Sequence, residues 1–83
     1  MWYNKHKYRG NFMDVSYKKL FKLLIDREIR KTDFAKLAGI SANTLAKLSK
    51  DENVSLEIVA RICRALNCTV DEILDVLPER IEE

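Results

Sequence analysis

Residues 31–50, KTDFAKLAGISANTLAKLSK, constrain the fold of this 83-residue chain more than any other stretch. Phe34, Ala38, Ile40, Leu45 and Leu48 fall at offsets that turn all five apolar side chains into one shared core. Ala35 is small at the point where two crossing helices come closest, and a larger residue there would push them apart. Gly39 stands where the first helix must stop and the chain must turn, a position that favours a left-handed backbone. Ser41 then opens the second helix, because its hydroxyl can accept a bond from an otherwise unpaired backbone N–H. Two short helices set across a glycine turn make a helix-turn-helix, a unit that holds its second helix against DNA.

Composition fits an all-helical domain around one core. There are two glycines and one proline, few breakers for this length. No apolar stretch approaches the roughly 20 residues that a membrane helix requires, and no apolar run of a secretion signal is expected near residue 1. Cys63, Cys68 and the single histidine, His6, do not suggest a zinc site or a disulfide framework. Reduced thiols in a cytoplasmic, nucleoid-associated protein are expected, with Cys63 in the core and Cys68 as a small turn residue. No metal, cofactor or small-molecule ligand is expected. The net charge of +2 hides an asymmetry: residues 1–68 carry 14 Lys/Arg against 7 Asp/Glu, and residues 69–83 carry one Arg against six acids. A basic body suits a polyanion, and the acidic tail must then face away from it or be covered by a partner.

Residues 1–12, MWYNKHKYRGNF, show no helical period. Lys5, Lys7 and Arg9 are interleaved there with Trp2, Tyr3 and Tyr8, which suits a flexible arm along the DNA backbone or minor groove, or else a disordered leader ahead of a native start at Met13-Asp14. The domain itself is placed at residues 13–83. From Ser16 to about Glu28, Tyr17, Leu20, Phe21, Leu24 and Ile25 form one apolar stripe, with Lys18, Lys19 and Lys22 opposite. A second helix is expected over residues 31–38, and a third over 41–50. A polar loop, Asp51-Glu52-Asn53, follows. Ser55 caps a fourth helix to about Leu66, with Ile58, Val59, Ile62, Cys63 and Leu66 inward and Asn67 in the left-handed position after it. Thr69 and Glu72, three apart, form a capping box for a fifth helix reaching about Leu77, with Pro78 marking its end. The expected architecture is all-α, a compact five-helix repressor-like domain with the helix-turn-helix at helices 2 and 3.

This order of elements resembles the Xre-type family of phage repressor and Cro-like DNA-binding domains. The resemblance covers residues 15–77. FAKLAGIS followed by TLAKL matches the family's helix-turn-helix frame, and SLEIVARICRALNCTVDEIL matches its fourth and fifth helices. VSYKKLFKLLIDREI and ICRALNCTVDEI look like a small prokaryotic branch of that family. Two departures stand out. Many relatives open the second helix with Gln or another polar cap, where this chain has Arg30-Lys31-Thr32. Many also pair a buried Arg on the first helix with an acid closing the third; the matching positions here are Leu24 and Ser49, so apolar packing must replace the ion pair.

The resemblance implies that the third helix lies in the major groove, and helical geometry assigns its faces independently. At about 100° per residue, Leu45 and Leu48 point inward and Ala42, Asn43, Ala46, Lys47 and Lys50 outward. Asn43 can pair with adenine in a bidentate way, Lys47 can donate to guanine O6 and N7, and Ala42 or Ala46 can meet a thymine methyl. Ser41 and Thr44 can bond to phosphate or a base edge, although Ser41 is also the expected cap. Lys31 can meet a phosphate together with the N–H groups that open the second helix, and Lys50 and Asn53 border a loop where relatives touch the backbone again. Each of these residues, taken alone, would be read as a solvated polar side chain or a cap; their collection on one face favours contact with DNA.

The expected function is sequence-specific recognition of double-stranded DNA by a transcriptional regulator, a repressor, reading the major groove with residues 41–50. Two copies would bind an inverted repeat, with Val70, Ile73, Leu77 and Ile81 as the homodimer surface. A protein-interaction module, such as an antitoxin or anti-repressor component, is the alternative, supported by the acidic, partly apolar tail. An enzyme is not expected. The chain shows no glycine-rich phosphate loop, no metal cluster and no nucleophile with a plausible base.

Overall fold

The same backbone device ends each of four short helices. The computed structural model describes residues 15–77. It contains strand β1 (Val15–Ser16), helices α1 (Lys18–Asp26), α2 (Lys31–Ala38), α3 (Ala42–Ser49) and α4 (Leu56–Leu66), a one-turn 3-10 segment (Val70–Glu72) and strand β2 (Asp75–Val76). After the helices, Glu28, Gly39, Asp51 and Asn67 take left-handed backbone angles, φ +58°, +68°, +58° and +55°. One residue further on, the N–H reaches back to a carbonyl five residues earlier: Ile29 to Leu24, Ile40 to Ala35, Glu52 to Lys47 and Cys68 to Cys63, at 2.9–3.0 Å. This is the Schellman turn, which satisfies carbonyls that the helix end would otherwise leave open. Gly39 and Asn67 carry this role as the sequence suggested. Asp51 does so with a short polar side chain that tolerates positive φ, and Glu28 with a longer one ill suited to it.

The helices enclose one core. Tyr17, Leu20 and Leu24 meet Phe34 and Ala38 of α2, Ile40 and Leu48 of the helix-turn-helix, Val59, Ile62 and Leu66 of α4, and Ile73. Ala35 and Leu45 are half-buried against it, as are Ile58 and Cys63 on the flank of α4. Phe34, Leu20 and Leu48 are fully covered. Each contributes roughly 1.5–3 kcal/mol of apolar burial. Leu24 is buried where relatives carry an Arg, and Ser49 is exposed with its hydroxyl donating to the Leu45 carbonyl at 3.1 Å. Apolar packing has taken over that position.

Four expectations need correction. Helix α1 is shorter than residues 16–28: Ser16 belongs to β1, and Tyr17 precedes the helix without a side-chain cap. Ile25 does not join the apolar stripe and is 75% exposed. With Leu20 and Leu24 inward, a residue one step past Leu24 has rotated about 100° away from the core, and Phe21 and Leu23 occupy the flanks instead.

The fifth helix is absent, leaving four α-helices among the described residues. The Thr69–Glu72 box forms, the Glu72 carboxylate accepting the Thr69 N–H at 2.9 Å, yet it opens only one 3-10 turn. The chain then extends so that Val76 and Asp75 pair antiparallel with Val15 and Ser16. Lys19 draws the segment in, with its Nζ 2.9 Å from the Asp75 carboxylate and donating to the Asp71 carbonyl at 3.0 Å. Val70, Ile73 and Val76 are β-branched, which lowers the cost of leaving the helix. Ile73 is 1% exposed and is a core residue, so it is withdrawn from the homodimer surface; Val70 and Leu77 remain about half exposed. The arm at 1–12, Pro78 and Ile81 lie outside the described residues.

Candidate nucleic-acid interface

Helix α3 is set by a cap at one end and a clamped loop at the other. The Ser41 Oγ accepts the Thr44 N–H at 3.1 Å and donates to Thr44 Oγ1 at 3.1 Å. The Ser41 hydroxyl is thus engaged in the cap while remaining exposed. Thr44 is half-buried beside it. At the other end, the Tyr17 N–H donates to Asp51 Oδ1 at 2.9 Å, and its hydroxyl donates to the Glu52 carbonyl at 2.9 Å. Burial pushes the Tyr17 phenol above its ordinary pKa, and the nearby Asp51 carboxylate acts in the same direction. A neutral, hydrogen-bonded phenol therefore pins the loop that carries Lys50 and Asn53.

Between those anchors α3 presents its outer face. Leu48 is fully buried and Leu45 half-buried, whereas Ala42, Asn43, Ala46 and Lys47 are all exposed. Lys50, which ends the helix, and Asn53 are exposed as well. An amide, an ammonium and two methyl groups thus share one solvent-facing surface, bordered by further cations. Lys31 is exposed at the first position of α2, its Nζ 4.8 Å from the centre of the Phe21 ring. That contact holds the lysine near the open N–H groups of α2 without consuming its charge.

Arg61 was not singled out from the sequence. Its Nη1 donates to the Gly39 carbonyl at 3.0 Å and its Nη2 pairs with Glu57 at 2.9 Å, so α4 holds the turn between α2 and α3 from behind. The Glu57–Arg61 spacing of four was a legible helix pair; the reach to Gly39 is tertiary. Arg27 similarly donates to the Leu66 carbonyl at the end of α4. Lys36, Leu37, Arg61 and Arg64 line an open groove beside the turn, which extends the positive surface along α2 and α4. Among the described residues no group of three or more His, Cys, Asp or Glu side chains could hold a metal ion. No helix there is long and apolar enough to cross a membrane.

The family model for the Cro/C1-type HTH DNA-binding domain matches residues 19–79. No curated protein sequence matches the chain. Among solved structures, the fold is similar to that of the transcriptional regulator VanUg, crystal form II, with a TM-score of 0.75 and 47% identity over 86% of this chain and 100% of that one. The capped and clamped α3, the left-handed turn at Gly39 and the family match agree. The chain belongs to the Cro/C1-type helix-turn-helix DNA-binding domain family.

Proposed function

We propose that this protein is a sequence-specific regulator of transcription that reads the major groove of double-stranded DNA with α3. The observation that carries this reading is the exposed set Ala42, Asn43, Ala46 and Lys47 on a helix whose inner face is locked by Leu48 and whose ends are held by Ser41 and Tyr17. Asn43 pairs with adenine and Lys47 with guanine, while Ala42 and Ala46 meet thymine methyls. Lys31, Lys50 and Asn53 meet phosphates from either side of the groove. Thr44 and the cap residue Ser41 contribute at its edge.

One short helix reads few base pairs, so two copies act together on an inverted repeat with half-sites roughly 34 Å apart. Val70, Leu77 and Ile81 provide the apolar part of that homodimer contact. Occupying an operator blocks polymerase or a competing factor, which makes the protein a repressor. The test is selection of bound duplexes from a random library. A palindromic consensus bound far more tightly than random DNA supports the reading; uniform weak binding to every duplex refutes it and favours a protein-binding role for the same surface.

A further inference from the structure

The turn that ends all four helices joins the residue four positions before the left-handed one to the residue just past it through a backbone hydrogen bond, and a side-chain contact between the two frequently accompanies it. At the end of α1 those residues are Leu24 and Ile29, and at the end of α2 they are Ala35 and Ile40. At the end of α4 they are Cys63 and Cys68. The Cys68 N–H donates to the Cys63 carbonyl at 3.0 Å, and the Asn67 N–H to the Arg64 carbonyl at 3.4 Å, which completes the turn. Both residues pack against the core, yet neither is fully buried. Burial raises the Cys68 thiol above its ordinary pKa, and the Cys63 thiol, within hydrogen-bonding reach, adds to that shift. A disulfide needs its Cβ atoms at about 3.8 Å, and the backbone bond of this turn brings the two cysteines together at the end of α4.

We propose that Cys63 and Cys68 form a thiol-modification site, a dithiol clasp that a low-molecular-weight disulfide such as oxidised glutathione closes into an intrachain disulfide. One cysteine thiolate attacks a glutathione sulfur, the glutathione S–S bond breaks, and one glutathione leaves as a thiol with the proton. The second cysteine loses its proton and attacks the mixed disulfide, expelling the other glutathione. Two protein thiols are oxidised and one external disulfide is reduced to two thiols. The clasp lies at the joint where α4 hands over to the 3-10 turn, between the Arg27 bond to Leu66 and the Glu72 bond to Thr69. Closing it fixes the path of the chain towards β2. The proposal does not depend on DNA recognition.

The test is equilibration of the full chain in glutathione buffers of graded potential, native and in denaturant, followed by acid quench, alkylation and intact mass. The expected native product is a monomer lighter by two hydrogens, with little glutathione adduct. The effective concentration of the pair should be at least about tenfold higher in the native chain than in the denatured one, a shift of about 30 mV for this two-electron couple. By linkage the disulfide should raise the folding equilibrium constant by the same factor. Cys63→Ala should give only the glutathione adduct at Cys68. Predominant adducts or disulfide-linked dimers from the unaltered chain, or equal effective concentrations native and denatured, would overturn the proposal.

Discussion

Asn43 and Lys47 sit four residues apart on the open face of α3, so one turn of helix separates an amide from an ammonium. Lys47→Ala should cost about 1–3 kcal/mol on the selected duplex and relax the base preference at one position. Equal loss on random DNA would make Lys47 a phosphate contact instead. Tyr17→Phe removes the hydroxyl bond to Glu52 and should lower stability by about 0.5–1.5 kcal/mol at neutral pH. The Tyr17 phenol is raised in the fold, so its contribution is complete below the ordinary phenol range and is lost as pH climbs through about 10 towards the folded value. Denaturant midpoints taken across alkaline pH should therefore fall more gently for the Phe variant than for the parent. Glu28 holds φ +58° with a Cβ, a conformation costing about 1–2 kcal/mol. Glu28→Gly should raise stability by about 0.5–1 kcal/mol, since part of the relief is returned as chain entropy; a lower midpoint would show that the side chain itself holds the turn. The outward residues of α3 were legible because helical spacing alone sorts them. Tyr17, Asp51 and Arg61 were not, because their partners lie 22–35 residues away and no local pattern marks such bonds.

At the level of elements, α2 and α3 follow closely from the sequence: Gly39 and Ser41 give unambiguous stop and start signals, and the apolar offsets fix the inner faces. Helix α4 is equally legible, with Ser55 accepting the Ile58 N–H at 3.2 Å and Asn67 left-handed after it. The C-terminal element was misread because a genuine capping box precedes a segment whose best partner is β1, some sixty residues earlier in the chain. Local signals start a helix there, and the ladder to Val15–Ser16 with the Lys19–Asp75 pair ends it. What remains outward is Val70, Val76 and Leu77. If this edge joins two copies, substituting Leu77 and Ile81 together by Asp should reduce the mass in sedimentation to that of one chain and weaken operator binding. Unchanged mass and affinity would remove this surface from the account.

Across the whole molecule, charge is arranged in the direction a DNA-binding reading requires. The 14 basic residues before position 69 face only 7 acids, and acids dominate from there to the end. Lys47 lies on α3, Lys50 ends it and Lys31 opens α2, whereas Asp71, Glu72 and Asp75 belong to the C-terminal segment that packs on α1 through Lys19. Affinity for the selected duplex should fall steeply and log-linearly with salt, because each neutralised phosphate releases counterions. The most direct check of the central claim is an amide chemical-shift map of the isotope-labelled chain on the selected duplex. The largest changes are expected at Lys31, over residues 41–50 and in the loop to Asn53. Changes concentrated on α1 and residues 69–77, with α3 unmoved, would contradict it.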